Sequence, residues 1–272
     1  VIAKLPNEVR QIINSDAEVV NKLGSNAMGN YLYVYKGVYA TDEDVPVNPL
    51  TGERLRMGGN TSTQAYFKAG DPIWVDANGD YIIDEKDKVI VGNSQPRMTG
   101  GISINLRYKA FSINTNCSFT LRRDIINKAL ADRFRAYGTP VAGKVNLTGS
   151  GALTPIEAYN FWTEDNIYAQ YPNPFDYTRS SIIQPFRYDQ TLFMEDGSYF
   201  KINGISVAYT IPKKMLDFFR ISRCQLNFSM NNIYTFSKYS GINPENVNNL
   251  GYDTSGGYPN GRTVTFGVSM DF

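Results

Sequence analysis

Apolar and polar residues alternate over the last eleven positions of the chain, Arg262 to Phe272. Val264, Phe266, Val268, Met270 and Phe272 fall on one row, and Thr263, Thr265, Gly267, Ser269 and Asp271 on the other. Successive side chains of an extended strand point to opposite faces, so this stretch predicts a β-strand with one apolar and one small polar face. The same period recurs upstream. Ile102, Ile104, Leu106 and Tyr108 alternate with Ser103, Asn105 and Arg107. After a tight turn at Lys109-Ala110, Phe111, Ile113, Thr115, Cys117 and Phe119 alternate with Ser112, Asn114, Asn116, Ser118 and Thr120, which predicts a hairpin. Ser198 to Ile211 is expected as a strand, with Ile205, Val207, Tyr209 and Ile211 opposite Ser206, Ala208 and Thr210. Cys224, Leu226, Phe228 and Met230 alternate with Gln225, Asn227, Ser229 and Asn231. Alternation alone fits two media. A soluble sheet turns its apolar row to a core, whereas a membrane barrel turns it to lipid and its polar row to a watery interior, in segments of about ten residues.

Loop lengths separate the two. Connections alternate between short (Lys109-Ala110; Pro212 to Ser222) and long (Leu121 to Gly197; Ser237 to Gly261; the stretch before Gly100). Short turns on one rim and long loops on the other are the asymmetry of outer-membrane barrels. The polar rows are also mostly Ser, Thr, Asn and Gly, where a soluble sheet would carry many Lys and Glu. The rows therefore predict an all-β fold that forms part of a membrane barrel. Before these strands, Asn7 to Asn14 is expected as a short helix on the spacing of Val9, Ile12 and Ile13, and Asn30 to Tyr39 as a Tyr-rich strand. Thr41 to Ala69 reads as a long irregular connection, with Pro46, Pro49, Gly52, Gly58 and Gly59.

Composition sharpens this picture. The 272 residues are 42% hydrophobic and include 19 Tyr, 15 Phe and 2 Trp, an aromatic content suited to surfaces with one wet and one greasy side. A formal net charge of +1 and the absence of any Lys/Arg run give no case for nucleic acid. No window approaches 18 consecutive apolar residues, which excludes a transmembrane helix but not a barrel. Val1 to Pro6 lacks a charged region followed by an apolar one, so no signal peptide is expected there. Histidine is absent, which removes the usual general base of Ser and Cys hydrolases and the commonest zinc ligand, and no catalytic residues are assigned. Cys117 and Cys224 lie in apolar rows as small hydrophobes.

One loop carries candidate metal chemistry. Counted from Asp76, oxygen-bearing side chains stand at positions 1, 3, 5, 9 and 12 (Asp76, Asn78, Asp80, Asp84 and Asp87), Ile82 offers its carbonyl at position 7, and position 8 is apolar, as in an EF-hand-like Ca²⁺ loop. Tyr81 replaces the expected Gly at position 6, and Asp87 is shorter than the usual Glu at position 12. The competing reading is an acidic surface turn.

These residues also carry a resemblance. Gly70-Asp71 leading into Asp76-Ala77-Asn78-Gly79-Asp80 and Ile83-Asp84, Val91-Gly92-Asn93-Ser94-Gln95-Pro96, and Tyr108-Lys109-Ala110-Phe111 resemble stretches of the SusC/RagA family of TonB-dependent outer-membrane transporters. Phe161-Trp162-Thr163-Glu164-Asp165-Asn166, Glu195-Asp196-Gly197-Ser198-Tyr199, Ala208-Tyr209-Thr210-Ile211-Pro212, Asn232-Ile233-Tyr234-Thr235-Phe236, Tyr239-Ser240-Gly241 and Tyr258-Pro259 before Arg262 follow in family order. The resemblance implies the C-terminal portion of a large antiparallel transmembrane β-barrel of about 22 strands, with long extracellular loops. It implies TonB-dependent import of oligosaccharides or peptides under a SusD-like surface lipoprotein, with outer-membrane lipid around the wall. Residues 70–92 would be an extracellular loop stiffened by Ca²⁺. Trp162, Tyr239 and Tyr258 would contact substrate, and Phe266 and Phe272 in the terminal strand 262–272 would be read by barrel-assembly machinery. Tyr209, Tyr234 and Phe236 are expected near strand ends, as interfacial girdle or as core. Five strands are too few to close a barrel, so the chain is expected to be a fragment of a longer protein. The alternative reading is a secreted, Ca²⁺-stabilised β module that binds polysaccharide.

Overall fold

The computed structural model describes residues 8–14, 17–22, 29–59, 62–137, 140–141, 144–145, 158–176, 178–216, 221–248, 250–253 and 260–271. The chain divides into two units. One, the sheet unit, comprises Pro96–Asp124, Asp196–Glu245 and Gly257–Phe272; the other, the loop unit, comprises Val1–Gln95, Ile125–Glu195 and Asn246–Gly256.

The sheet unit is an antiparallel meander of β1 (Met98–Tyr108), β2 (Phe111–Leu121), β3 (Tyr199–Thr210), β4 (Arg223–Ser237) and β5 (Thr263–Asp271), each hydrogen-bonded to the next in chain order. The turn between β1 and β2 closes over Lys109, which holds a φ of 52°. Register aligns the alternation of every strand. Leu106, Ile113, Val207, Phe228 and Phe266 form one continuous apolar row across all five strands. The neighbouring polar row is Arg107, Ser112, Ala208, Asn227 and Gly267. On the polar face, Ser103 Oγ donates to Asn116 Oδ1 at 2.9 Å and Ser118 Oγ to Asn203 Oδ1 at 3.2 Å, so neighbouring strands are tied by neutral side chains.

Register breaks once within β3. Pairing with both β2 and β4 shifts between Ile202 and Gly204: Asn203 is an extra residue against β2, while on β4 Asn232 and Ile233 together span the break. Without this bulge the side-chain period of two would turn Ile202 and Phe200 to the polar face; with it they rejoin the row of Ile205, Val207 and Tyr209. Gly204 gives room here, because a Cβ would come within 2.9 Å of Asn231 Oδ1 and 3.3 Å of the Met230 carbonyl. Asn232 absorbs the mismatch on β4 with a φ of 54° and donates from Nδ2 to the Gly261 carbonyl at 3.1 Å. The period over Ser198 to Ile211 predicted the strand but not this change of phase. The Asn-Gly pair at 203–204 is its signal.

The loop unit buries its apolar residues. Helix α1 (Lys128–Tyr137) starts at Asn127, whose Oδ1 accepts the Leu130 N–H at 3.0 Å. It buries Leu130, Ala131 and Phe134. The Phe134 ring meets Tyr159, Phe161, Tyr171 and Phe186 edge-on at 4.8 to 5.4 Å, the geometry that aromatic quadrupoles favour. A second cluster gathers Tyr33, Tyr39, Phe67, Trp74, Ile83 and Ile183. The stretch Thr41 to Ala69 is largely irregular, as expected, yet it contributes Val45, Leu55, Met57, Ala65 and Phe67 to that cluster. Glu8–Asn14 is a strand paired with Ala17–Lys22. The helical spacing of Val9, Ile12 and Ile13 is overridden by the strand preference of β-branched residues. The expected strand at Asn30 to Tyr39 is two, Asn30–Leu32 and Tyr35–Val38, paired with Val89–Val91 and Pro72–Trp74 respectively.

Candidate functional site

Most of the apolar row of the sheet is uncovered among the described residues, Cys224 at the short-turn end being buried. Val264, Phe266, Val268 and Met270 are 60%, 68%, 48% and 48% exposed, and Ile102, Ile104, Leu106, Phe111 and Phe228 are exposed as well. A module with its core between layers would bury this face, so the secreted alternative has no core to offer here. Aromatics gather at both ends of the row. Tyr108, Phe111 and Tyr209 stand at the short-turn end, with the Phe111 and Tyr209 rings 4.6 Å apart. Phe119, Phe200, Tyr234 and Phe236 stand at the long-loop end, where the Phe119 ring lies over Gly100, too close to admit a Cβ. Phe111 and Phe119 are eight residues apart on one strand, about 27 Å at about 3.4 Å per residue, comparable with the roughly 25 Å apolar band of outer-membrane barrels. Tyr209, Tyr234 and Phe236 thus sit in girdle positions rather than in a core.

The loop unit holds its irregular backbone with buried charge. Arg179 Nε donates to Asp71 Oδ1 at 3.0 Å, a second nitrogen of the same guanidinium reaches Asp71 Oδ2, and Arg179 Nη2 donates to the Tyr66 carbonyl at 2.7 Å. Lys88 Nζ lies 2.8 Å from Asp189 Oδ2, and Arg187 grips the same carboxylate while stacking over Tyr33 at 4.7 Å. The Trp74 indole N–H donates to Gln190 Oε1 at 2.9 Å. Burial drives the Tyr33 hydroxyl well above the ordinary tyrosine range, and Arg187 opposes that shift.

In the acidic loop, Asp76 accepts the N–H groups of Gly79 (2.7 Å) and Tyr81 (2.8 Å), and Asp80 Oδ1 accepts the Ile82 N–H at 2.8 Å. Asn78 Oδ1 accepts the Asp80 N–H at 2.9 Å, Asp84 Oδ1 the Lys86 N–H at 2.8 Å, and Asp87 the N–H groups of Ala77 and Asp84 at 2.9 and 2.7 Å. Tyr81 takes a φ of 62°, so the turn that position 6 of a calcium loop needs is made without glycine. Asp87 is buried, which pushes its carboxyl above the usual range, and it serves as an internal cap. Among the described residues no group of three or more His, Cys, Asp or Glu side chains converges to hold a metal. The carboxylates of this spacing thus hold the loop's own backbone N–H groups.

The remaining expected residues fall as follows. Trp162 is buried at 9% exposure, lies against Gly70 and donates its indole N–H to the Ala40 carbonyl at 3.2 Å. Tyr239 is buried at 7% exposure with its ring folded over Gly241. Tyr258 and Phe272 lie outside the described residues. Phe266 stands on the exposed apolar row opposite Phe228.

No protein-family model matches the chain. The chain is 28% identical over 257 residues to TonB-dependent receptor P3 of Formosa agariphila, an alignment covering 89% of this chain and 22% of that protein. It is 23% identical over 270 residues to TonB-dependent receptor SusC of Bacteroides thetaiotaomicron, covering 92% and 24%. Its fold superposes on a chain of the RagAB peptide importer in the open-open state with a TM-score of 0.65 at 18% identity, over 100% of this chain and 25% of that one. The chain is similar to SusC-type TonB-dependent receptors along most of its length, and it shares the fold of the RagAB chain. It spans about a quarter of the length of these relatives. The five-stranded sheet is accordingly a β-barrel fragment of the kind these receptors carry, and its exposed apolar row has the character of a lipid-facing surface. The bulge at Asn203 and the ion pairs of Asp71 and Asp189 belong to the same structure and were not expected from spacing.

Proposed function

We propose that this chain supplies wall and outer loops to an outer-membrane importer that takes up oligosaccharides or peptides with energy relayed by TonB and with a SusD-like surface lipoprotein as its partner. The observation that carries the proposal is the uncovered apolar row bounded by aromatics at both ends, which suits a strand set bathed in lipid and has no role in a water-soluble module. The opposite face, lined by Ser, Thr, Asn and Gly, is the wet side along which a polar solute travels. The reading assigns the chain no covalent chemistry. Relatives described as TonB-dependent receptors and a structural neighbour described as a peptide importer support it.

The test is uptake in the native cell. Deleting the gene for the full-length protein should abolish import of one labelled oligosaccharide or peptide class, and a protonophore should do the same in wild-type cells. A surface lipoprotein should copurify with the protein in detergent. Normal import in the deletion strain, or recovery of the full-length protein from the soluble fraction without detergent, would sink the proposal.

A further inference from the structure

The polar face is neutral along most of its length and turns basic at the short-turn end. Arg107 and Arg223 project from the polar rows of β1 and β4, while Lys109 and Lys213 sit in the two short turns at that end. All four line one open cleft of about 620 Å³, together with the hydroxyls of Ser112 and Thr210. The volume suits a small organic ligand rather than a single water or ion. None of these cations meets a carboxylate among the described residues. The Arg223 guanidinium donates only to Gln225 Oε1, at 3.3 Å, and Lys109 lies over the Tyr108 ring at 5.2 Å. The acid nearest in register among the described residues is Asp271, the cross-strand partner of Arg223, and the described residues that line the cleft include four cations and no carboxylate. The loop unit differs, because there buried Arg179 and Lys88 and half-buried Arg187 each meet a carboxylate.

We infer that this cleft is a binding site for carboxylate groups of a solute, and that the solute class served by this wall is acidic: a peptide rich in Asp and Glu or a uronate oligosaccharide. Arginine forks match a carboxylate with two parallel hydrogen bonds, flanking lysines add non-directional attraction, and the Ser and Thr hydroxyls donate to a remaining oxygen. An excess of like charge gathered at one end of a mostly neutral surface concentrates anions there. The inference rests on the import reading for the nature of the ligand, but the cleft itself is defined by residues on four strands and two turns.

The experiment uses the full-length protein carrying these residues, in detergent, with calorimetric titration of tetra-aspartate, tri-galacturonate and their neutral counterparts tetra-asparagine and maltotriose. At about 20 mM salt, at least one acidic probe should bind and both neutral ones should not. Which acidic probe binds assigns the source of the carboxylate. Raising salt to about 300 mM should weaken binding about tenfold, as expected for exposed charges. The double variant Arg107→Gln/Arg223→Gln should also weaken it about tenfold, whereas Lys238→Gln, an exposed lysine outside the cleft, should change it less than twofold. Heat-modifiable gel mobility checks that the barrel is intact. If the arginine pair is not tolerated, Lys109→Gln/Lys213→Gln in the turns makes the same test. Equal binding of neutral and acidic probes, no binding of either acidic probe, or equal affinity in the cleft variant and the Lys238 control would overturn the inference. Import lost on gene deletion without carboxylate binding would remove the cleft assignment alone. Carboxylate binding with normal import in the deletion strain would remove the import reading and leave the cleft.

Discussion

Phe134 and Phe266 are the same residue in the same chain under opposite rules. Phe134 is fully buried among aromatic rings in the loop unit, and Phe266 is 68% exposed on the sheet. The loop unit follows the logic of a water-soluble protein: two aromatic-rich clusters gather inward, and buried charges are paired, as Asp71 with Arg179 and Lys88 with Asp189. The sheet unit reverses it, with Ile, Val, Leu and Phe outward and Ser, Asn and Thr on the other face. Two solvents explain the contrast. Water dictates the first arrangement and hydrocarbon the second, and backbone pairing within the sheet removes the polar groups that lipid cannot solvate.

Substitutions of equal size in the two units should therefore fail differently. The largest effect is expected from Phe134→Ala, which opens a cavity in the loop unit at a cost of about 3–5 kcal/mol. Hydrogen exchange should show lost protection in α1 and around Phe161 and Phe186, with the sheet amides unchanged. Loss of protection in β4 or β5 would mean that the two regions do not answer to separate solvents. Next is Phe228→Arg, on the apolar row at mid-strand. Refolding of the full-length protein into lipid vesicles should lose about 2–4 kcal/mol, whereas Asn227→Arg on the opposite face should cost less than about 1 kcal/mol. The same cost on both faces would contradict an inside and an outside.

A smaller effect concerns pH. Burial raises the Asp176 carboxyl, but hydrogen bonds from Lys68 and Thr178 outweigh it, and the net shift lies below the ordinary 3.8. The depressed folded value means that the carboxylate contributes stability above about pH 3.8 and loses it as pH falls through the folded value. The pair is partly exposed, so the contribution is about 0.2–1 kcal/mol. Amide protection around Thr178 and Arg179 should fall with pH below that point, and Asp176→Asn should flatten the dependence. Calcium should matter least. With the acidic loop closed on its own carboxylates, millimolar Ca²⁺ should leave the exchange of residues 76–87 unchanged in wild type and in Asp80→Ala. Saturable protection by Ca²⁺ that Asp80→Ala abolishes would instead place the metal in this loop.

How much of this was legible in advance follows from the range of each interaction. The side-chain period of a strand is local, so Val264 to Met270 announced their row from their own spacing. Loop lengths are countable, which gave the sidedness of the turns. Helix α1 was readable too, from Asn127 as a cap and Leu130, Ala131 and Phe134 on one face, but it lies in a long Pro-containing stretch whose length drew the attention instead. Pairings across the chain were not legible: Arg179 meets Asp71 from 108 positions away, and nothing local marks either as the other's partner. The burial of Trp162 has the same origin, since its place is set by Gly70 and Ala40. The acidic loop shows the converse. Its spacing was plain, but the same carboxylates that can ring a cation can also cap backbone N–H groups, and spacing does not choose between them.

The central claim is that the apolar row of the sheet touches hydrocarbon, and accessibility of β5 to paramagnetic reagents tests it most directly. Single nitroxide labels at positions 264 to 270 of the full-length protein in lipid vesicles would be exposed in turn to oxygen, which partitions into lipid, and to a water-soluble nickel chelate. The account predicts alternation: labels at Val264, Phe266, Val268 and Met270 respond to oxygen and not to nickel, while those at Thr265, Gly267 and Ser269 do not share the high oxygen response. Even-numbered positions closed to both reagents, as beneath a second protein layer, or open to nickel, would contradict it.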